Sequence, residues 1–235
     1  MWMIAAYTVH ISSLSSKGKD MRIDVVSYCK KIKGVTVLDN INYSFESGKV
    51  YGLQGKNGSG KTMLLRAVSG LIFPTSGYAS VNGQVLGTDI AFPRSIGLLI
   101  ENPSFIGKYT GIKNLTMLAG IRNKVGKDEV ADALIKVGLD PKDRRPYRKY
   151  SLGMKQRLAI ACAIMERPRV ILLDEPINAL DPSGVECVER ILCEKKKEGA
   201  LVIIACHDKS EMRELADVVI TLAEGRIVSS EAVAV

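Results

Sequence analysis

Residues 55–62 read GKNGSGKT, and this octapeptide decides the fold class of the chain. It fits the pattern G-x-x-x-x-G-K-[ST], in which a glycine-rich loop surrounds phosphate oxygens with backbone N–H groups. Residues 50–53 before it are apolar and suit a buried strand, while the residues after it place apolar side chains at helical spacing as far as Gly70. The sequence therefore predicts a strand, a phosphate-binding loop and a helix in succession, which indicates an α/β fold.

The residue types of this loop suit the triphosphate of a nucleotide. Its glycines allow the backbone to approach phosphate oxygens, and the N-terminus of the following helix favours their negative charge. We expect Lys61 to reach the β- and γ-phosphates and the Thr62 hydroxyl to bind Mg²⁺. The predicted nucleotide-binding loop consists of Gly55, Lys56, Asn57, Gly58, Ser59, Gly60, Lys61 and Thr62. The alternative is a glycine-rich turn with a surface lysine, and the flanking strand and helix argue against it.

Length and composition restrict the class of protein. The chain has 235 residues, of which 46% are hydrophobic, and this is enough for one sizeable core with an attached subdomain. It contains no run of about 18 apolar residues, the length that a membrane-spanning helix needs. Its five cysteines are scattered without a CxxC pair, so the sequence indicates neither a zinc site nor a disulfide framework. This pattern fits a protein of the reducing cytosol.

The net charge of +8 is compatible with attraction to a nucleotide or to an anionic membrane surface. The densest basic stretch is residues 142–149, which we interpret as a solvated loop rather than a dedicated binding patch. Aromatic residues are few and no base-reading motif accompanies the charge, so we expect no nucleic-acid partner.

The order of patterns along the chain predicts a single domain over residues 21–235. Alternating apolar residues up to about residue 54 predict an antiparallel β layer, and turn signals in residues 74–87 predict a hairpin. Helical spacing prevails over about residues 101–165, which we predict to form an inserted helical subdomain. Residues 1–20 differ in character from the rest and are expected to form a disordered or non-native N-terminal extension.

Short apolar runs return in the C-terminal part, at residues 170–173, 201–205 and 218–220. Helical patterns separate these runs. Runs of this length in such an order predict parallel strands that are covered on both faces of the sheet.

Two acidic residues follow the first of these runs, in the heptapeptide RVILLDE of residues 169–175. Ligands bind beyond the carboxyl ends of strands in open α/β sheets. We therefore expect Asp174 to hold Mg²⁺ and Glu175 to act as the general base toward an attacking water. A helix cap or a turn is the alternative for such a pair, and the phosphate-binding loop upstream favours the catalytic interpretation.

Residues 150–157 read YSLGMKQR ahead of an amphipathic helix, and here the chain resembles the ATP-binding-cassette (ABC) family. The signature of that family is commonly LSGGQ; Ser151 and Gly153 match it, whereas Leu152 and Met154 depart from it. Ser151 is also placed to act as an N-cap. The resemblance implies that Ser151 and Gly153 bind the γ-phosphate of a nucleotide held by the opposite protomer of a dimer.

Two further segments continue the resemblance. Residues 178–181 read NALD and fall where the family has its D-loop, which implies that Asp181 helps to place the attacking water. A turn that ends in an N-cap Asp is compatible with this role. His207, which follows the apolar run 201–205, matches the family's switch histidine and is implied to contact the γ-phosphate. The implied catalytic residues are thus Glu175, His207 and Asp181.

Two positions differ from the family pattern. Glu101, in the stretch LLIENP of residues 98–103, occupies the place of a glutamine and is expected to meet Mg²⁺ or water as an anion. Ile32 occupies the place of an aromatic residue that stacks on adenine. The loss of the ring removes a stacking contribution and leaves an apolar contact with the base.

Together these features predict an α/β P-loop NTPase with a RecA-like core, an antiparallel β layer and an inserted helical subdomain. The resemblance implies a head-to-tail dimer that hydrolyses ATP with Mg²⁺ and powers a separate integral membrane permease from the cytoplasmic face of the membrane. The forms LIENPSF and YSLGMKQR look most like ATPase subunits of bacitracin or lantibiotic exporters, which implies export of a drug or antimicrobial peptide.

The competing hypothesis is a soluble ABC ATPase of DNA repair, translation or iron–sulfur assembly. A P-loop kinase or GTPase is a third, for which we find no acceptor or base-reading motif. The cargo, the direction of transport and the permease stoichiometry stay open.

Overall fold

The computed structural model describes residues 21–101, 104–207 and 209–233, with the backbone alone for residues 209–211. The predicted N-terminal extension, residues 1–20, lies outside the described residues. In chain order the strands are β1 (Arg22–Ile32), β2 (Val35–Glu46), β3 (Val50–Gln54), β4 (Ser76–Val81), β5 (Gln84–Val85), β6 (Ile96–Leu99), β7 (Val170–Asp174), β8 (Leu201–Ala205), β9 (Val218–Ala223) and β10 (Arg226–Ala232). The helices are α1 (Lys61–Ser69), α2 (Gly111–Arg122), α3 (Lys127–Lys136), α4 (Leu152–Ile164), α5 (Pro182–Lys197) and α6 (Lys209–Leu215).

The N-terminal strands form the antiparallel layer that the alternating pattern predicts. Four strands pair in the order β2-β1-β4-β5, and β4 and β5 are the two arms of the predicted hairpin. Ile23 and Val25 are buried on one face of β1, while Arg22 at the start of the strand is exposed. Alternation of this kind places one face of the layer on the core.

The second sheet has six strands in the order β10-β9-β3-β8-β7-β6. Strands β9, β3, β8, β7 and β6 run parallel, and β10 is antiparallel to β9 at one edge. Because β3, β7 and β8 are parallel neighbours, their carboxyl ends meet at the same edge of the sheet. The loops that follow these three strands carry the predicted functional residues.

Both faces of the six-stranded sheet are buried, which confirms the prediction from its continuous apolar runs. In β7 the side chains of Val170 and Leu172 join the core beneath the antiparallel layer and α1. Ile171 and Leu173 join the core on the opposite face, against Leu158 of α4 and its neighbours. None of these five side chains is accessible to solvent. A strand enclosed on two sides needs apolar side chains at every position, so it loses the polar alternation of β1.

Helices α2, α3 and α4 lie between β6 and β7 in the chain, within the segment predicted to be a helical subdomain. Helix α3 ends just before Gly138, whose φ of +74° suits the left-handed end of a helix. Helix α4 ends at Ile164, shortly before Arg167, which precedes Pro168 and has left the helical region with φ +50°.

None of the helices in the described residues combines the length and the low polarity that a membrane span needs.

Candidate active site

The glycine-rich loop joins β3 to α1 at the carboxyl edge of the parallel sheet. Gly58 has φ +79° and Gly60 has φ +107°, values that a residue with a side chain rarely adopts. Gly60 stands at the N-cap position of α1, and its carbonyl accepts the first hydrogen bond of the helix from the N–H of Leu64 at 2.8 Å. The loop therefore turns directly into a helix N-terminus, the arrangement that binds phosphate in many proteins.

Lys61 lies beneath this loop. Only 6% of the residue is exposed, and its Nζ donates to the carbonyl of Gly55 at 2.6 Å and to that of Lys56 at 3.3 Å. Gly55 and Lys56 thus hold the ammonium group through their carbonyls. A buried cation at a helix N-terminus is the electrostatic complement of a polyphosphate.

A cavity of about 490 Å³ opens above the loop. It is lined by Ile32, Val37, Asn57, Gly58, Ser59, Gly60, Lys61, Thr62, Met63, Asp174 and Glu175. The structure therefore brings together the phosphate-binding loop, the acidic pair and Ile32, the residue expected to contact the adenine base. Val37 and Met63 are additional lining residues that sequence analysis did not identify.

The hydroxyl of Ser59 provides a test of whether this cavity suits a phosphate. Its Oγ is buried and has no hydrogen-bond partner among the described residues, although buried polar groups are normally paired. An orphaned hydroxyl beside Gly55, in the lining of the same cavity as Lys61, suits a phosphate oxygen. The cavity therefore fits the polyphosphate of ATP.

Thr62 and Asp174 meet across the site. The Thr62 hydroxyl donates to Oδ2 of Asp174 at 2.7 Å, which joins the first turn of α1 to the end of β7. Burial raises the pKa of the Asp174 carboxyl, and the charge of Glu175 raises it further, whereas the Thr62 hydroxyl and Lys61 lower it. A hydroxyl and a carboxylate side by side are the oxygen ligands that Mg²⁺ takes in nucleotide sites, so this pair fits the metal.

Glu175 begins the loop after β7 in an unusual backbone conformation, with φ +49°. Its N–H donates to the carbonyl of Ala205 at 2.8 Å, so the end of β8 fixes one side of the residue. Its Oε2 lies 2.9 Å from Nδ1 of His207, which follows β8. Positive φ in a residue with a side chain is kept only when neighbouring groups enforce it, and such residues concentrate at functional sites.

The signature residues face a different space. Ser151, Gly153 and Asp181 line a second cavity of about 940 Å³, and Ser151 and Gly153 are not among the residues that line the first. The Ser151 side chain accepts from the N–H of Met154 at 3.2 Å, which confirms the N-cap of α4. Within the described residues, the two predicted halves of the nucleotide site thus lie apart.

Asp181 stands at the N-cap position of α5, and side chains rather than backbone N–H groups hold its carboxylate. Ser183 Oγ donates to it at 2.8 Å and Arg157 Nη2 donates at 2.7 Å. The Ser183 hydroxyl and the Arg157 guanidinium together hold the pKa of Asp181 below its usual range. Asp181 is therefore an anion tied to the signature helix α4 of its own chain.

The two positions that depart from the family pattern have different surroundings. Glu101 has φ +60°, and its carboxylate forms an ion pair with the guanidinium of Arg66 of α1. This pairing turns the charge of Glu101 toward α1, and Glu101 is not among the residues that line the nucleotide cavity. Ile32 does line that cavity, beside Val37, and is 39% exposed.

Sequence analysis also missed two residues of α4 that contact the loop after β7. Gln156 donates to the carbonyls of Glu175 and Pro176, and Arg157 binds Asp181. Both belong to the quoted signature stretch. Their partners are about 20 residues away in the chain, and most of these contacts are to main-chain carbonyls, so no sequence pattern predicts them.

The parallel sheet, the glycine-rich loop and the paired acids at one edge define a P-loop nucleotide-hydrolysing domain. Comparisons with known proteins place it more narrowly. A family model described as ABC transporter matches residues 38–178. YybJ of Bacillus subtilis (strain 168), an uncharacterized ABC transporter ATP-binding protein, is 48% identical over 211 residues, covering 90% of this chain and 97% of YybJ. BcrA of Enterococcus faecalis, a bacitracin transport ATP-binding protein, is 40% identical over 208 residues, covering 88% of this chain and 68% of BcrA.

Solved structures agree with the fold. The ATP-binding cassette MJ0796, a dimer bound to ADP and Pi in a post-hydrolysis state, superposes with a TM-score of 0.80 at 21% identity, covering 92% of this chain and 99% of MJ0796. The structure of cbiO1 from Clostridium perfringens, part of the ABC transporter complex cbiONQ, gives a TM-score of 0.76 at 27% identity, covering 91% of this chain and 89% of cbiO1. These likenesses confirm the predicted P-loop NTPase fold.

The chain belongs to the ABC transporter family. It is an ATP-binding and ATP-hydrolysing subunit of that family, which confirms the predicted enzyme class and favours the transport function over a soluble, non-transport ATPase.

Proposed function

We propose that two copies of this chain, arranged head to tail, hydrolyse MgATP between them and drive a separate membrane permease that exports a peptide antibiotic or a drug. One observation carries the dimer. Lys61, Thr62, Asp174 and Glu175 surround one cavity, whereas Ser151 lines another in the same chain. A γ-phosphate in the first cavity would have no donors on its far side until a second copy supplies them.

The residues divide the work of hydrolysis as follows. The loop amides and Lys61 bind and orient the phosphates, and Thr62 with Asp174 would hold Mg²⁺. A bound Mg²⁺ neutralises negative charge on the phosphate oxygens. Glu175 accepts a proton from the attacking water at its carboxylate, and His207 fixes the orientation of that carboxylate through the contact at 2.9 Å.

The partner copy completes the site. Its Ser151 hydroxyl and the N–H groups near its Gly153 donate to the γ-phosphate from the N-terminus of α4, and its Asp181 helps to place the water. Glu101 would meet the metal or the water once its carboxylate released Arg66. Ile32 provides an apolar contact to the base.

The transport assignment is supported by the names of relatives. BcrA of Enterococcus faecalis is a bacitracin transport protein, and SrtF of Streptococcus pyogenes, 38% identical over 197 residues, is a lantibiotic transport ATP-binding protein. By this analogy the chain acts at the cytoplasmic face of the membrane, bound to an integral membrane permease, and its cargo is a drug or an antimicrobial peptide.

Glu175→Gln tests the proposal, with Glu186→Gln as the matched control because Glu186 is exposed on α5 and is not among the residues lining the nucleotide cavity. Turnover per wild-type molecule should rise with protein concentration as dimers form. Glu175→Gln should lose turnover by about 100-fold or more and accumulate an ATP-bound dimer in gel filtration, while Glu186→Gln behaves like wild type. Turnover that is indifferent to dilution, in a protein that stays monomeric throughout, would contradict the proposal.

The permease is tested separately. The wild-type protein, purified from membranes of its host, should carry with it a polytopic membrane protein. A preparation that never associates with membranes would favour a soluble ATPase instead.

A further inference from the structure

The first two turns of α4 hold the loop that follows β7 at three places. A side-chain carbon at Gly153 would lie 3.0 Å from the carbonyl oxygen of Ala179, so the helix backbone passes close to the loop there. Arg157 binds the carboxylate of Asp181 at 2.7 Å. Between these contacts, the Nε2 of Gln156 donates to the carbonyl of Glu175 at 2.8 Å and to that of Pro176 at 3.0 Å.

The two hydrogen bonds of Gln156 use both N–H groups of a planar amide, so they fix two successive peptide carbonyls in direction as well as in distance. Glu175 needs such a constraint because its φ is +49°. Its N–H donates to the carbonyl of Ala205 of β8, and its carbonyl accepts from Gln156 of α4 at 2.8 Å as well as from the N–H of Asn178 at 3.2 Å. The backbone of Glu175 is therefore held from both sides, and the residue lines the nucleotide cavity.

Gln156 itself does not take part in lining the nucleotide cavity. We propose that Gln156 is a positioning residue: it places the Glu175 carboxylate for proton transfer by holding the main chain of Glu175. This inference rests on the proposed role of Glu175 as general base. The helix that carries Gln156 begins at Ser151, which the proposed function places against the nucleotide of the partner, so one rigid element would contact one site and support the base of the other.

Gln156→Met is the informative variant, because methionine has a similar length and helix propensity but cannot donate a hydrogen bond. Gln84→Met, at an exposed position of β5, is the matched control. We expect kcat of Gln156→Met to fall about 10- to 100-fold, since a small displacement of a catalytic group has an effect of this order. KM for MgATP should stay within about twofold of wild type, since the groups that bind nucleotide are unchanged. Gln84→Met should have wild-type values of both.

A double-mutant cycle separates positioning from a merely structural role. Single-turnover hydrolysis is measured in Glu175→Gln and in the double variant Gln156→Met/Glu175→Gln. If Gln156 acts through Glu175, its substitution has no further effect once the carboxylate is gone. An equal loss in both backgrounds, or an unchanged kcat in Gln156→Met, would overturn the inference.

Two further measurements keep the result decisive. Circular dichroism and thermal unfolding report whether Gln156→Met folds. If it does not, Gln156→Asn replaces it, because this variant keeps the amide but is too short to reach both carbonyls. Gln156→Asn should show the same loss of kcat with unchanged KM, and a wild-type kcat in that variant would overturn the inference. If Glu175→Gln alone retains turnover, the proposed function fails along with this inference. If Glu175→Gln is inactive and Gln156→Met is fully active, this inference alone fails.

Discussion

Nδ1 of His207 lies 2.9 Å from Oε2 of Glu175, so two residues that follow neighbouring parallel strands are joined by one side-chain contact. The side chain of His207 is 63% exposed and that of Glu175 is 28% exposed, which leaves the pair accessible to water. This contact defines the direction in which the carboxylate points, and it leads to the first prediction.

His207→Ala should lower kcat for ATP by about 10- to 100-fold, because the Glu175 carboxylate loses the group that orients it. The kcat of His207→Gln should fall less, since an amide can still donate to Oε2 of Glu175. Steady-state hydrolysis at saturating MgATP gives kcat, and binding of a fluorescent ATP analogue gives affinity, which should change little. A wild-type kcat in His207→Ala would show that this contact has no part in turnover.

Ile32→Tyr should strengthen ATP binding, because Ile32 lines the nucleotide cavity at the place where an aromatic ring can stack on the base. An aromatic pair contributes about 0.5–1.5 kcal/mol beyond area burial, which corresponds to about 2- to 10-fold in Kd. Val35→Tyr is the control, since Val35 lies on the neighbouring strand with 65% of its surface exposed. Equilibrium titration with ATP checks the prediction, and an equal gain in the two variants would mean that the added ring does not contact the base.

Gly97→Ala and Gly120→Ala should change the free energy of unfolding in opposite directions. A side-chain carbon at Gly97, in β6, would collide with the main-chain oxygen of Ala163, so we expect destabilisation by about 1–3 kcal/mol. Gly120 lies on the exposed side of α2 with no atom near that position, so alanine should stabilise by about 0.5–1 kcal/mol. Urea unfolding followed by circular dichroism measures both. Stabilisation by Gly97→Ala would show that the packing of α4 against β6 is looser than described.

Cys193 should react with iodoacetamide faster than Cys162 at pH 8. Cys193 is exposed on α5, whereas burial raises the pKa of the half-buried Cys162 thiol to about 11. About one Cys162 side chain in a thousand is then a reactive thiolate at pH 8, and this fraction rises as the pH approaches the pKa. Mass spectrometry of the labelled peptides gives both rates. Cys193→Ser should remove the faster reaction and leave the labelling of Cys162 unchanged; equal rates in wild type would contradict the assignment of burial.

The sequence predicted those parts of the fold whose physical cause is local. Glycines at 58 and 60 are needed where φ is positive, and the apolar run of β7 is needed where both faces of a strand are covered. Such requirements act on residues close together in the chain, so they leave a readable pattern. The exact end of α4 is less predictable, because helical spacing alone does not reveal where the backbone changes conformation ahead of Pro168.

The contacts within the candidate site were less predictable. The acidic pair and the phosphate-binding loop were found as separate motifs, but the hydrogen bond from Thr62 to Asp174 joins residues 112 positions apart. The ion pair between Arg66 and Glu101 and the double hydrogen bond of Gln156 likewise depend on which strands are neighbours. Nothing in the local pattern specifies that order.

By itself, then, the sequence determined the chemistry available to this protein: a loop that can surround phosphate, a lysine at the end of that loop, and two carboxylates at the end of a strand. The tertiary structure alone decided which of these groups share a cavity, because parallel strands β3, β7 and β8 bring distant loops to one edge of the sheet. It also placed Ser151 outside that cavity, since α4 packs on the other face of the sheet and directs its N-terminus to a separate space. The physical reason is that dihedral preferences and hydrophobic periodicity are properties of neighbouring residues, whereas the meeting of distant side chains depends on how complete layers pack.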